Sequence, residues 1–289
     1  MPAIKDWVIS ATKQLSVAKI ISARLDAEII LADILKKDRT YLHAHPDRIL
    51  DDQQLNDANG YITKRLNRIP IAYITGYKEF YGRNFAVTPA TLIPRPESED
   101  IITILKDILL PANPSTMLST SGVIPISYFP TPNPRLVDIG TGSGCLGITA
   151  KLELPNLNVT LTDISTEALE IATRNAKNLT ADVTILQSDL LKEYEAKPDF
   201  IIANLPYVDK LWERSPETNY EPALALFADN NGKALIEKLI IEASKKIHNK
   251  GYLIIEADPE QHQDLINYAQ RHSFTIDQQI NYILVFKHR

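Results

Sequence analysis

The chain has 289 residues, 44% of them hydrophobic, enough for one full core and a smaller second one, since domains commonly hold about 100–200 residues. A formal charge of -5 suits a surface that does not neutralise phosphate backbones, so direct nucleic-acid binding is not expected. Cys145 is the single cysteine, which excludes an intrachain disulfide. No apolar run approaches the ~18 residues that cross a bilayer, and the opening MPAIKDWVIS lacks the pattern of a secretory signal, so a soluble cytoplasmic protein is expected.

Ile4, Trp7, Val8, Ala11 and Leu15 recur at helical spacing, and Leu25 to Leu35 is apolar around most of its circumference. Asp51 and Asp52 can cap a third helix that carries Leu55, Ala58, Ile62 and Leu66. Residues 1–72 therefore read as a small helical domain. Residues 73–96 contain YITGYKEFYGRNFAV, in which Gly76 and Gly82 punctuate aromatic and β-branched residues, and read as a β-hairpin linker. Residues 97–289 form the third block. It opens with a helix from Glu97 to Leu110 and continues into a proline-rich stretch, Pro111 to Pro134, which reads as a loop. Short apolar strands then alternate with amphipathic helices, the mark of a mainly parallel sheet covered on both faces, and the last two strands follow each other as an antiparallel hairpin.

LVDIGTGSGCLG places Gly140, Gly142 and Gly144 directly after the first strand of that block. Glycines there let the backbone turn tightly and approach a ligand at a helix start. The geometry suits an adenosine cofactor, although Gly142-x-Gly144-x-x-Gly147 also satisfies the dinucleotide pattern. Asp163, at the end of the next strand, suits ribose hydroxyls in either class, and Asp189 is placed for an adenine amino group or for solvent.

The apolar run FIIA breaks into Asn204-Leu205-Pro206-Tyr207. An NH2 group on an sp2 carbon is a poor nucleophile because its lone pair is delocalised. The Asn204 side-chain oxygen and the Leu205 backbone oxygen can hold both of its hydrogens while Tyr207 stacks on the planar group and Pro206 fixes the turn. Those bonds strengthen as the nitrogen gains positive charge, which favours rate over mere affinity. The competing reading is a turn with a packed tyrosine. His43 and His45 are half of a metal site that nothing else completes, so no metal is expected.

At these residues the chain resembles the glutamine-N5 methyltransferases of class I peptide chain release factors, the PrmC/HemK family. The resemblance runs through LDAEIILADIL, PIAYITGYKEFYG, TLIPRPESE, LVDIGTGSGCLGI, LQSDLL, the Asn204 tetrapeptide and YEPALALFADNNG. It implies a class I S-adenosylmethionine-dependent methyltransferase (Rossmann-like) sheet with an N-terminal helical domain joined by the hairpin. It also implies that Gly140, Thr141, Gly142, Ser143, Gly144, Asp163, Asp189, Leu190 and Asn204 hold S-adenosylmethionine. Asn204, Leu205, Pro206 and Tyr207 would hold the glutamine, with Asn204 and Tyr207 catalytic, and the partner would be a class I release factor docked with help from the helical domain. Leu205 departs from the family's usual proline, and Asn-Leu-Pro-Tyr is similar to the tetrapeptide of ribosomal RNA adenine dimethyltransferases. Ser98 stands where the family usually has threonine. An adenine methyltransferase, a ribosomal-protein glutamine methyltransferase and a non-catalytic release-factor-binding protein are the alternatives.

Overall fold

The computed structural model describes residues 1–110 and 133–289, so the proline-rich stretch lies outside the described residues apart from its last two positions. The chain divides into two compact units, one of residues 1–77 with 214–220, the other of residues 78–213 with 221–289.

The first unit is helical: α1 (Ile4–Val17), α2 (Ala23–Leu35), α3 (Arg39–Ala44), α4 (Asp52–Leu66) and α5 (Ile71–Thr75). In α1 the buried side chains are Ile4, Trp7, Ala11 and Leu15, the stripe that the spacing predicts. Asp51 caps α4 in a reciprocal capping box with Gln54, which satisfies two otherwise unpaired backbone donors. Sequence spacing misses α3 and α5, which are only 6 and 5 residues long, so residues 73–75 close a helix where a hairpin is expected.

The segment 214–220 joins this unit through charge. Arg65 is buried and donates to Asp26 at 2.6 Å and to Glu217 at 2.9 Å, while Arg68 reaches Glu217 at 3.2 Å. Burial acts to raise the Glu217 carboxyl, but hydrogen bonds from Ser215, its own backbone N–H, Arg65 and Arg68 reverse this and hold it at about 2. Tyr220 adds a bond to the Asn67 carbonyl at 2.5 Å.

The second unit begins at Lys78, inside the hairpin of β1 (Tyr77–Phe80) and β2 (Arg83–Ala86), whose Phe80 and Phe85 are buried in the unit's core beside α6 (Glu99–Leu109). A 3-10 turn, Pro96–Ser98, precedes α6, so the helix starts later than Glu97. There follow β3 (Arg135–Ile139), α7 (Cys145–Glu153), β4 (Asn158–Asp163), α8 (Thr166–Asn178), β5 (Thr184–Gln187), β6 (Phe200–Ala203), α9 (Ala223–Leu226) and α10 (Ala234–Lys246). The unit ends with β7 (Tyr252–Glu256), α11 (His262–Arg271), β8 (Phe274–Ile280) and β9 (Ile283–His288).

These strands form a seven-stranded sheet in the order β5-β4-β3-β6-β7-β9-β8. All pairs from β5 to β7 are parallel, and β9 pairs antiparallel with both β7 and β8, as the missing helix between them predicts. Strand side chains alternate between two cores. Phe200 and Ile202 join one with α6, α7 and α8, while Ile201 and Ala203 join the other with α10 and α11. Each fully buried isoleucine in these strands stabilises the fold by about 1.5–3 kcal/mol.

Asp138 in β3 is an acid among these apolar residues, 1% exposed. Its Oδ2 accepts from the Thr141 hydroxyl at 2.5 Å and the Gly147 N–H at 2.9 Å, while Oδ1 is buried without a partner among the described residues. Burial pushes this carboxyl up to about 6, against those two bonds and with help from the Asp163 charge. A raised acid contributes stability that is full below its unfolded value of 3.8 and lost as pH rises through about 6. Asp138→Asn keeps an oxygen for both donors and removes the titration. In thermal melts from pH 4 to 7, the variant is expected to gain on the wild type as pH rises across that window, whereas parallel melting curves would contradict the assignment.

Candidate active site

The sheet order reverses between β3 and β6. From β3 the chain builds outward through β4 and β5, and then it returns to place β6 on the other flank of β3. In open α/β sheets the crevice at such a reversal, beyond the carboxyl ends of the strands, is where ligands bind. Ile139 pairs with Ala203 at the ends of β3 and β6, so the next residues, Gly140 and Asn204, leave the sheet side by side. An open cleft lies there.

The structure brings most of the expected site residues to this cleft. Gly140, Thr141, Gly142, Ser143, Asp163, Asp189, Leu190, Asn204, Leu205 and Pro206 line it. Gly144 and Tyr207 are not among the lining residues. Gly144 has φ 82° at the start of α7, and a Cβ there would meet the Ile148 side chain at 2.7 Å, so its packing accounts for the glycine. Gly140 has φ 67°, and a Cβ on it would stand 2.9 Å from the Leu205 side chain. The glycine loop and the tetrapeptide thus fit against each other, and Leu205 is buried at that contact.

Asp163 accepts from the Gly142 N–H at 2.9 Å and the Ser165 N–H at 3.0 Å, which ties the ends of β3 and β4 together. Burial pushes its carboxyl up despite these bonds. Ile164 beside it lines the cleft although it is 52% exposed. Across the cleft Leu190 is held at φ 54°, an unusual conformation for a side-chain-bearing residue, and the Ser188 hydroxyl donates to its carbonyl at 2.7 Å. Asp189 lines the cleft with its carboxylate bound by Lys238, both oxygens at 2.9 Å. Cys145 also lines the cleft, but burial pushes its thiol up to about 12, so it is no nucleophile at neutral pH.

The tetrapeptide is fixed from behind. The Gln261 side-chain NH2 donates to the Tyr207 carbonyl at 2.8 Å, and the Val208 N–H donates to the Leu226 carbonyl at 3.0 Å. The Asn204 side-chain NH2 donates to the Ser98 hydroxyl at 2.9 Å, and Ser98 donates to Glu256 Oε2 at 2.5 Å. The Tyr207 hydroxyl donates to Glu256 Oε1 at 3.0 Å. Burial, then the Glu256 charge and this bond, push the tyrosine's pKa up, so it stays protonated. Among the described residues no donor reaches the Asn204 Oδ1 or the Leu205 carbonyl. Asn204 and Leu205 both line the cleft.

Glu256 escapes the sequence reading. It closes the buried strand YLIIE, and an acid at the carboxyl end of an otherwise apolar strand, level with the residues that follow β3 and β6, is the signal that marks it. Glu221 escapes as well. It accepts from Arg95 at 2.6 Å and from the Ile93 N–H at 3.1 Å, holding together two segments of the cleft wall. His43 lies 3.6 Å from Glu28 and His45 stacks on Tyr41, and among the described residues no group of three or more His, Cys, Asp or Glu side chains is placed to hold a metal ion.

Comparison with known proteins follows the same lines. The family model for the PrmC N-terminal domain matches residues 6–76, and the one for the methyltransferase small domain matches residues 123–219. A release factor glutamine methyltransferase of Koribacter versatilis is 36% identical over 268 residues, covering 89% of this chain and 88% of its own. One of Leptospira interrogans is 36% identical over 258 residues, covering 86% and 83%. The crystal structure of a methyltransferase from Pyrococcus furiosus aligns with a TM-score of 0.50 at 16% identity, over 80% of this chain and 98% of that one, and agrees with the fold. Identity of that degree across both units, with the glycine loop and the tetrapeptide meeting in one cleft, means that the chain belongs to the release factor glutamine methyltransferase family.

Proposed function

We propose that this protein transfers the methyl group of S-adenosylmethionine to the side-chain amide nitrogen, N5, of the glutamine in the Gly-Gly-Gln motif of class I peptide chain release factors. The observation that carries the proposal is that Asn204 and Leu205, whose Oδ1 and carbonyl oxygen accept from no donor among the described residues, line the cleft beside the glycine loop. A primary amide offers two hydrogens in one plane, and two neighbouring oxygens can hold both.

The residues present fit the cofactor. Asp163 has lone pairs beyond the two that accept backbone N–H groups, and these suit ribose hydroxyls. Ile164 and Leu190 give the cleft apolar walls for a purine, and Asp189 supplies an acceptor near them that Lys238 holds in place. Thr141, Gly142 and Ser143 complete the loop against the cofactor. S-adenosylmethionine supplies at this place a methyl group on positively charged sulfur.

The chain's own work is orientation. Holding both amide hydrogens fixes the plane of the NH2 group and presents the nitrogen face to the methyl. As the nitrogen gains positive charge, its hydrogen bonds to Asn204 Oδ1 and Leu205 O strengthen, so they stabilise the transition state more than the bound substrate. The alkylated nitrogen then sheds one proton without help from a strong base. Leu205 in place of proline leaves this arrangement intact because its contribution is a backbone oxygen. Tyr207, which does not line the cleft, is held by Glu256 and Gln261 and would fix the far end of the tetrapeptide. Residues 1–72 would contribute to docking the release factor. Among the described residues no helix is long and apolar enough to cross a membrane, and cytoplasmic action accords with that substrate.

Asn204→Ala is expected to lower kcat roughly a hundredfold or more, the scale for losing one preorganised transition-state group. Transfer of labelled methyl to release factor, with ribosomal protein and RNA as parallel acceptors, checks it. Undiminished turnover would remove the mechanism, and labelling of RNA alone would favour adenine methylation. Gly140→Ala forces a side chain into the left-handed region, at about 1–2 kcal/mol, and against Leu205. Equilibrium titration with S-adenosylmethionine is expected to show affinity weakened about tenfold, and unchanged affinity would contradict the role given to the loop.

A further inference from the structure

We propose that Glu256 is a positioning residue: through Ser98, its carboxylate sets which end of the Asn204 amide faces the cleft. Three bonds define the chain. Asn204 Nδ2 donates to Ser98 Oγ at 2.9 Å, Ser98 Oγ donates to Glu256 Oε2 at 2.5 Å, and the Tyr207 hydroxyl donates to Glu256 Oε1 at 3.0 Å. Ser98 and Glu256 are 2% and 1% exposed, so water does not compete for these groups.

The direction follows from proton inventory. A carboxylate has no proton to give, and a serine hydroxyl has one, which Glu256 takes. Ser98 Oγ can then only accept from Asn204, so the NH2 end of the amide turns inward and Oδ1 is left for the substrate. A carboxamide by itself prefers neither orientation. With a proton on Glu256 the chain can run backwards: the carboxyl donates to Ser98, Ser98 donates to Asn204 Oδ1, and the Asn204 NH2 faces the substrate NH2, donor against donor. One buried charge therefore sets whether the site accepts or repels a planar amide.

The groups facing Glu256 are Ser98 and Tyr207, which stabilise its charge, together with the Arg95 cation, which does the same, and Glu97, which opposes it. The neighbouring Cys145 thiol feels its charge and stays protonated. Burial outweighs the stabilising contacts and raises the carboxyl's pKa. An acid limb in kcat is the consequence, with activity lost as pH falls and Glu256 gains its proton. Because Asp138 also titrates, at about 6, variants and not the limb alone identify the group.

The inference rests on the proposed methyl transfer, and its test separates the two. In the full-length chain, Ser98→Ala and Glu256→Gln are expected to lower kcat by about 10–100-fold, the range for residues that orient a reacting group from behind. S-adenosylmethionine affinity should stay unchanged in both, and Ser98→Thr, which keeps the hydroxyl, should keep wild-type turnover. Independently of activity, the Asn204 side-chain NH2, followed by nuclear magnetic resonance with labelled asparagine, should be protected from solvent exchange in the wild type and unprotected in Ser98→Ala. Wild-type turnover in Ser98→Ala, equal damage by Ser98→Thr, or unchanged NH2 protection in Ser98→Ala would overturn the inference. If Glu256→Gln does not fold, the two Ser98 variants still decide it. A wild-type chain that methylates no glutamine removes the proposed function, while the NH2 measurement still judges the relay.

Discussion

The parallel pairing of β3 with β6 is the constraint on which the site depends. It ends with Ile139 opposite Ala203, so the glycine loop and the tetrapeptide leave the sheet at the same level and on neighbouring strands. Everything the cleft needs is then within reach of backbone geometry. Gly140 turns with positive φ and stays small because Leu205 lies against it, and Asp163 from the adjoining strand fastens the loop from the other side. The proposed chemistry and cofactor recognition would thus be built on strand ends, where position varies least.

Burial of acids is the second theme. Asp138 and Glu256 each lie in the second unit's sheet at 1% exposure, and burial raises both carboxyls. Neither is neutralised by a direct ion pair among the described residues. Each instead gathers hydrogen bonds that hold a neighbouring backbone or side chain: Asp138 holds Thr141 of the loop and Gly147 of α7, and Glu256 holds Ser98 and Tyr207. A buried acid without a cation costs stability. Their return is a loop and a tetrapeptide whose side chains have little freedom.

Much of this was legible in the sequence, for identifiable reasons. The alternation of short apolar strands and amphipathic helices fixes the parallel sheet, and the lack of a helix between the last two strands foretells the antiparallel edge. Glycines after β3 and the Asn204 tetrapeptide after β6 are local signals, readable because each breaks a run of another character. Glu256 and Ser98 were not legible as partners, because 158 positions separate them and only the folded sheet brings their side chains together. The grouping of 214–220 with the helical unit was hidden for the same cause: an ion pair between Arg65 and Glu217 spans 152 positions. Short helices such as α3 and α5 hold too few turns to show a period.

In the proposed reaction a planar amide is held by two oxygens, one from a side chain and one from the backbone, facing the methyl donor. A crystal structure of the protein with S-adenosylhomocysteine and a Gly-Gly-Gln fragment of a release factor tests it most directly. The glutamine nitrogen is expected within about 2.7–3.2 Å of both Asn204 Oδ1 and the Leu205 carbonyl oxygen. A glutamine bound elsewhere, or met by the Asn204 nitrogen, would contradict it.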